Sequence, residues 1–204
     1  VTVQYATRPA ASDDSREVAR RVCDAIADIE RQTLPKGARD VLVFLPGERE
    51  IRDAERALTK SGIASANRWR ILPLFGRLSD KQQNEVFKSQ PGRRIVLATN
   101  VAETSLTVPR IGALIDSGLA RVSRYSHRSR IQRLQLEPVS QASANQRAGR
   151  CGRIGPGVCI RLYDAADFEA RATFTDAEIM RTNLASVVLQ MAALGLGDVA
   201  AFPF

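Results

Sequence analysis

The sequence predicts an α/β fold built on a mostly parallel sheet flanked by helices, and three observations carry that expectation. Val41-Leu42-Val43-Phe44-Leu45 is a continuous apolar run, as a strand buried on both faces of a parallel sheet requires. Segments of helical spacing alternate with such runs, giving each strand a return path over a sheet face. The breaks between them are short and carry proline or glycine, as at Pro46-Gly47, Gly62 and Gly76.

In chain order, a helix is expected over Asp14 to Arg31, where Val18, Val22, Ile26 and Ile29 share one face. After the strand at Val41 to Leu45, Glu48 to Lys60 reads as a helix with Ile51, Ala54, Ala57 and Leu58 facing the core, stopped by Gly62. Ile71 to Phe75 is a second strand, and Ser79 is placed to cap a helix running to about Phe87. Arg94 to Ala98 and Gly112 to Ile115 are the third and fourth strands. Leu119 to Leu136 breaks the alternation. It has no helical period, carries β-branched and aromatic residues, and has a polar middle at Ser126 to Ser129, so it is expected to project as a β-hairpin. Gln141 to Arg150 suits a helix, Val158 to Tyr163 a final strand, and Leu184 to Leu194 an amphipathic helix closed by Gly195 and Gly197. The apolar Phe202-Pro203-Phe204 reads as an interrupted terminus.

The 204 residues fit one domain plus part of another. Hydrophobic residues at 44% and charged residues at 25% are ordinary globular values and exclude wholesale disorder. No apolar run approaches the roughly 20 residues that span a bilayer, and no secretory signal pattern stands near Val1. Cys23, Cys151 and Cys159 form neither a metal-ligand pattern nor an even disulfide set, so a reduced, cytoplasmic protein is expected, with no metal site and no membrane partner.

Charge is more informative. Thirty basic residues against 22 acidic ones give +8, and all but Lys36, Lys60, Lys81 and Lys88 of the basic residues are arginine. Arginine's planar fork suits bidentate phosphate contacts, although a GC-rich genome produces the same bias. From Arg121 to Arg161 stand nine arginines and one acid, whereas from Asp164 onward six acids face two arginines. That change of sign places a boundary near residue 165, with 1–165 as the α/β domain and 166–204 as a connector and the first helix of a further region.

Gln146-Arg147-Ala148-Gly149-Arg150-Cys151-Gly152-Arg153 is the most specific stretch. Its three arginines recur every three residues and are expected to line one side of a helical turn, with Gly149 and Gly152 leaving room for a phosphate or a backbone between them. Such a cluster is tolerated best with an anion bound, and an adjacent glutamine can orient a water without competing for charge. Ala98-Thr99-Asn100-Val101-Ala102-Glu103-Thr104-Ser105-Leu106-Thr107 comes directly after a strand, where loops of α/β sheets meet ligands. His127 is the only histidine and has no acid partner in sequence, so a surface role is expected for it.

With Phe44-Leu45-Pro46-Gly47-Glu48-Arg49-Glu50-Ile51, these stretches resemble motifs IV, V and VI of DEAH-box ATP-dependent RNA helicases of the bacterial HrpA type, in the right order. The stretch Arg181 to Leu189 also resembles the family's lead into a winged-helix domain. The resemblance implies a RecA-like (P-loop NTPase-like) domain, the second of two. Arg150 and Arg153 match the family's arginine fingers to the γ-phosphate of ATP, and Gln146 the residue contacting that phosphate and the attacking water. Phe87 stands at the position whose ring stacks on adenine, and Ser105 and Thr107 lie on the nucleotide side. Thr99 and Asn100 match positions near the RNA backbone, and the loop Gly76-Arg77 is a further phosphate contact. The hairpin, with Arg124, Arg128 and Arg130 among its arginines, matches the element that lies against RNA and separates strands. Pro109 stands where the family often has an acid contacting ribose, and cannot make that contact.

None of the four lysines stands in a Gly-x-x-x-x-Gly-Lys-[Ser/Thr] pattern, and no Asp-Glu-x-His occurs. The resemblance assigns both, with the Mg²⁺ ligands, to a preceding RecA-like domain, the expected partner beside RNA. The chain alone is therefore expected to be inactive. The residues themselves leave two other classes open, a non-enzymatic RNA-binding module and a DNA-directed helicase.

Overall fold

The computed structural model describes residues 1–8, 14–32, 34, 37–63, 69–88, 91–104, 106–126 and 128–197. Contacts divide the chain into two compact units, Val1–Arg121 with Leu136–Thr175, and Val122–Gln135 with Asp176–Phe204.

In the first unit the strands are β1 (Thr2–Tyr5), β2 (Asp40–Phe44), β3 (Trp69–Leu74), β4 (Arg93–Ala98), β5 (Ile111–Asp116) and β8 (Val158–Arg161). They form one sheet in the order β1-β8-β5-β2-β4-β3, with every neighbouring pair parallel. All five residues of β2 are buried, as its unbroken apolar run demands. Helices α1 (Ser15–Glu30) and α2 (Glu48–Lys60) bury Val18, Val22, Ile26, Ile29, Ile51, Ala54 and Leu58 with Val41, Val43, Ile95, Leu97, Ala113 and Ile115. Asp14 caps α1 by accepting from the Arg16 N–H at 3.0 Å. A second cluster gathers Leu42, Phe44, Leu74, Val96, Ala98 and Leu114 with Ala148, Cys151 and Cys159. The alternation of strand residues between these two clusters is the period of two that a doubly covered sheet produces.

Helices α3 (Asp80–Asn84), α4 (Gln141–Ala148) and α5 (Ala165–Ala170) complete the first unit. Gly112 allows β5 to begin beside the chain at residue 38, because a Cβ there would lie 1.9 Å from the Ala38 carbonyl oxygen. Gly118 comes after β5 with φ +74°, and a Cβ there would meet the Tyr163 ring at 2.5 Å. The hairpin strands are β6 (Leu119–Ser126) and β7 (Ile131–Pro138). Their bases belong to the first unit, and residues 122–135 belong to the second with α6 (Glu178–Arg181) and α7 (Ala185–Ala193).

Three departures from the sequence expectation have physical causes. Strand β1 was not anticipated, since its four residues are all exposed and carry no apolar run; its pairing to β8 defines it. The helix capped by Ser79 stops at Asn84, three residues before Phe87. The helix expected to reach Arg150 ends at Ala148, and a 3₁₀ turn over Gly149–Cys151 succeeds it.

Candidate active site

Because the sheet is parallel, the C-terminal ends of its strands share one edge, the edge where α/β sheets bind ligands. Phe44 is in register with both Ala98 and Asp116, and Asp116 with Arg161, so the segments after β2, β4, β5 and β8 leave side by side. Thr99 comes directly after β4; its N–H donates to the Leu74 carbonyl at 3.2 Å, and a 3₁₀ turn over Asn100–Ala102 begins there. Helix α4 approaches the same edge, capped by the Ser140 hydroxyl, which accepts from the Ser143 N–H at 3.2 Å.

The arginine triplet does not line one side. Arg147 is 1% exposed and points into the sheet edge. Its Nε donates to Glu103 Oε2 at 2.9 Å and its Nη1 to Asp116 Oδ1 at 2.8 Å, and its guanidinium lies 4.8 Å from the centre of the Phe44 ring. Burial alone would lower its pKa, but Asp116 and Glu103 reverse that and hold the guanidinium charged. Both carboxylates are engaged further. Glu103 Oε1 accepts from the Ser143 hydroxyl at 2.5 Å. Asp116 accepts from the Gly118 N–H at 2.9 Å and from the Tyr163 hydroxyl at 3.2 Å. One arginine of the triplet is thus diverted inward, because helix α4 ends at Ala148 and the tighter turn over Gly149–Cys151 re-aims Arg150 and Arg153.

Arg150 and Arg153 are treated differently. Arg150 is 8% exposed and closes no ion pair among the described residues; its Nη1 donates to the Leu106 carbonyl at 3.1 Å. Burial first, and then the Arg153 charge, lower its pKa, with Glu103 opposing. Arg153 is exposed and donates from Nη1 to Thr107 Oγ1 at 2.8 Å. Gln146 and Gly149 are exposed beside them, and a Cβ on Gly149 would meet open space. The segment 99–107 and the arginine turn, distant in sequence, are therefore interlocked through Glu103–Arg147, Leu106–Arg150 and Thr107–Arg153.

The remaining predicted site residues are more dispersed. Thr99 is half-buried and Asn100 exposed. Gly76 and Arg77 are exposed above buried Leu78, and Phe87 is 37% exposed next to fully buried Val86. Neither Arg77 nor Phe87 bonds to the arginine turn among the described residues. Ser105 and His127 lie outside the described residues. In the second unit Arg124 pairs with Asp176 at 3.0 Å, while Arg128 and Arg130 are exposed at the hairpin turn. Among the described residues no cluster of three acids, cysteines or histidines could hold a metal, and no helix is long and apolar enough to cross a membrane.

Sequence reasoning missed Glu103, Asp116 and Ser143, which position the turn. Asp116 had a readable signal, a carboxylate ending the otherwise apolar Ile111-Gly112-Ala113-Leu114-Ile115.

A parallel α/β domain that concentrates arginines on a strand-end loop pair is the architecture of a helicase motor domain, and the chain belongs to the helicase conserved C-terminal domain family, whose model matches residues 21–155. More narrowly, its mostly parallel sheet flanked by helices is the RecA-like fold of solved DEAH/RHA-type helicases. The chain is 58% identical over 95% of its length to the ATP-dependent RNA helicase HrpA of Escherichia coli, covering 14% of that protein. It is 54% identical over its whole length to the HrpA homolog of Haemophilus influenzae, covering 15% of it. The crystal structure of the E. coli DExH-box NTPase HrpB superposes with a TM-score of 0.80 at 33% identity, over 98% of this chain and 24% of that one. The chain thus spans about one-seventh of the length of these two curated relatives.

Proposed function

We propose that this chain is the second RecA-like domain of a cytoplasmic ATP-dependent RNA helicase, and that it completes an ATPase site whose phosphate-cradling half lies on the first RecA-like domain of the full-length protein. In this reading Arg150 and Arg153 present guanidiniums to the γ-phosphate and Gln146 orients the attacking water. The observation that carries it is the unequal treatment of one triplet. Arg147 is matched by two carboxylates, whereas Arg150 and Arg153 are held by a carbonyl and a hydroxyl. Neutral oxygens fix the direction of a guanidinium without cancelling its charge, and stabilising a developing anion requires that charge.

ATP with Mg²⁺, when bound, supplies the phosphoryl group to be transferred to water. The residues present fit the anionic end of that group and not the metal, since the described residues contain no acid cluster. Phe87 offers a ring face for the base, and Thr107, with Ser105 of the same segment, is assigned to the nucleotide by the family resemblance alone. Thr99, Asn100, Gly76 and Arg77, with Arg128 and Arg130 on the hairpin, track the RNA backbone; Arg124 does so as one half of an ion pair with Asp176. Such contacts read phosphate and sugar, so sequence preference is low. Domain closure on ATP and reopening after hydrolysis move these loops along the strand, and the hairpin obstructs its partner strand.

The test is the RNA-stimulated ATPase rate of the full-length protein carrying Arg150→Lys or Arg153→Lys. Lysine keeps the charge and loses the fork. An arginine finger contributes about 10³–10⁵ in rate, roughly 4–7 kcal/mol, so a loss of that order is expected. Near-normal rates in both variants would end the finger assignment.

A further inference from the structure

A second concentration of positive charge lies outside that site, on the outer surface of α1 and α2. A groove of about 510 Å³ there is lined, among the described residues, by Ser15, Arg16, Arg49, Asp53, Arg56, Ala57 and Lys60. Four cations against one carboxylate leave it strongly positive.

Elsewhere on these helices arginines are matched locally. Arg20 pairs with Asp24, Arg31 with Asp28, and Arg52 with Glu48 and Glu55. In the groove only Arg56 is matched, by Asp53. Arg16, Arg49 and Lys60 close no ion pair among the described residues. Asp53 stays ionised, one carboxylate among four cations. A hydrogen bond from Ser15 holds its carboxyl below the ordinary range, and the Arg56 and Arg49 charges act in the same sense.

Helix electrostatics do not explain the unmatched arginines. Arg16 and Arg49 stand in the first turns of α1 and α2, where the macrodipole favours acids and disfavours cations. Lys60, in the last turn of α2, is the one cation the dipole favours. The positive ends of both helices add to the potential the side chains create.

The spacing indicates what the groove fits. Arg49, Arg56 and Lys60 recur along one face of α2, and at 1.5 Å per residue the row extends about 16 Å. A single phosphate fills a fraction of that length, whereas an extended polyanion fills it. Among the described residues no aromatic side chain lines the groove, so the bound chain is gripped by its backbone rather than by stacked bases. Three of the four cations are arginines, whose forks match phosphate oxygens two at a time.

We propose that the α1–α2 groove is an auxiliary track for the phosphate backbone of RNA, beginning with Arg49 just after β2 and running along α2 away from the arginine turn. The proposal rests on the proposed function at one point, the identity of the polyanion as RNA. An acidic protein segment is the competing occupant.

The experiment measures binding of fluorescein-labelled oligouridine to the full-length protein without nucleotide, by anisotropy over a range of salt concentrations. The variant carries Arg16→Gln, Arg49→Gln and Lys60→Gln, all at surface positions. A control with equal charge removal carries Arg20→Gln, Arg31→Gln and Arg52→Gln. Each lost single-strand phosphate contact reduces the slope of log affinity against log salt by about 0.7, so three lower it by about 2. The groove variant is expected to show that reduction and the control a much smaller one. Equal slopes in wild type, groove variant and control would overturn the groove, as would loss of polyglutamate binding with oligouridine binding intact. Failure of the wild type itself to bind oligouridine would instead overturn the RNA reading of the whole domain, which keeps the two failures distinct.

Discussion

Opposite edges of the same sheet each bury an arginine, and the two are satisfied in different ways. At the edge where strands begin, Arg94 is 2% exposed and donates from Nε to Asp40 Oδ2 at 2.7 Å. Its Nη2 also pairs with Asp40, and its Nη1 and Nη2 donate to main-chain carbonyls, Val86 at 2.7 Å and Pro109 at 3.1 Å. At the edge where strands end, Arg147 is met by two carboxylates and an aromatic face, with one main-chain carbonyl, Leu119, at 3.4 Å. Carbonyl partners close loops in place, and nothing about Arg94 depends on which side chains those loops carry. Carboxylate partners drawn from separate segments make Arg147 a joint, since Glu103 and Asp116 stand 44 and 31 positions away. The lesson is that Arg94 and Arg147, tied to carboxylates, serve the fold, whereas Arg150 and Arg153, held by neutral oxygens, keep their charge for the site.

The largest expected effect breaks the comparison directly. Arg94→Met leaves the fully buried Asp40 with the more distant Arg110 Nε at 3.7 Å, whereas Arg147→Met strands Asp116 and Glu103. Removing one partner of a buried pair costs about 3–5 kcal/mol, because the other charge is left uncompensated. Urea denaturation should show a loss of that size for Arg147→Met and a smaller one for Arg94→Met, where Arg110 still faces Asp40. Adding Asp40→Asn to Arg94→Met should recover part of the loss, since the poorly compensated charge disappears. In the full-length protein Arg147→Met should also depress RNA-stimulated ATPase, while Arg94→Met leaves the folded enzyme's rate largely intact. Equal ATPase losses in the two would show that the edges do not differ in the way described.

Much of this could be read from the residues, and the parts that could not share a cause. The apolar runs of β2, β4 and β5 and the period of α1 and α2 are local properties, and the structure places their ends within one or two residues of expectation. Strand β1 has no such local signature, because its definition is the neighbour it pairs with. The same holds at the site. Arg147, Arg150 and Arg153 are alike in sequence, and only carboxylates remote along the chain separate a structural arginine from its neighbours. Arg94 opens an apolar strand as Asp116 closes one, and a charge at the end of a buried run is the sign of a buried pair that the spacing of motifs does not convey.

A smaller effect sharpens the joint. Glu103→Gln keeps the shape and removes the charge that accepts from Ser143 and Arg147. Its side chain is 13% exposed, so water replaces part of what is lost, and a destabilisation near the lower end of about 1.5–3 kcal/mol is expected. Helix α4 and the 99–107 loop would then lose their charged tie and keep the weaker contacts of Arg150 and Arg153. A urea midpoint equal to wild type would mean that Asp116 alone holds Arg147.

The smallest effect uses cysteine as a reporter of that edge. Cys151 lies in the turn carrying Arg150, fully buried, with its Sγ 3.1 Å from the Ala148 carbonyl. Burial pushes its thiol up from about 9 to about 11, and burial and then Asp116 push Cys159 up as well. The thiolate is the reactive form, so at pH 8 Cys151 should alkylate about 10²-fold more slowly than an ordinary thiol. Half-buried Cys23, raised to a lesser degree by burial, should react first. The upward shift also sets the direction in which stability varies with pH. A thiol whose pKa is raised on folding stabilises the fold below pH 9, and that contribution is lost as pH rises toward 11. Cys151→Ala should therefore flatten the decline of the urea midpoint over that interval. Iodoacetamide labelling of Cys151 as fast as Cys23 at pH 8, read by mass spectrometry, would mean the turn opens freely and does not hold Arg150 and Arg153 in a fixed direction.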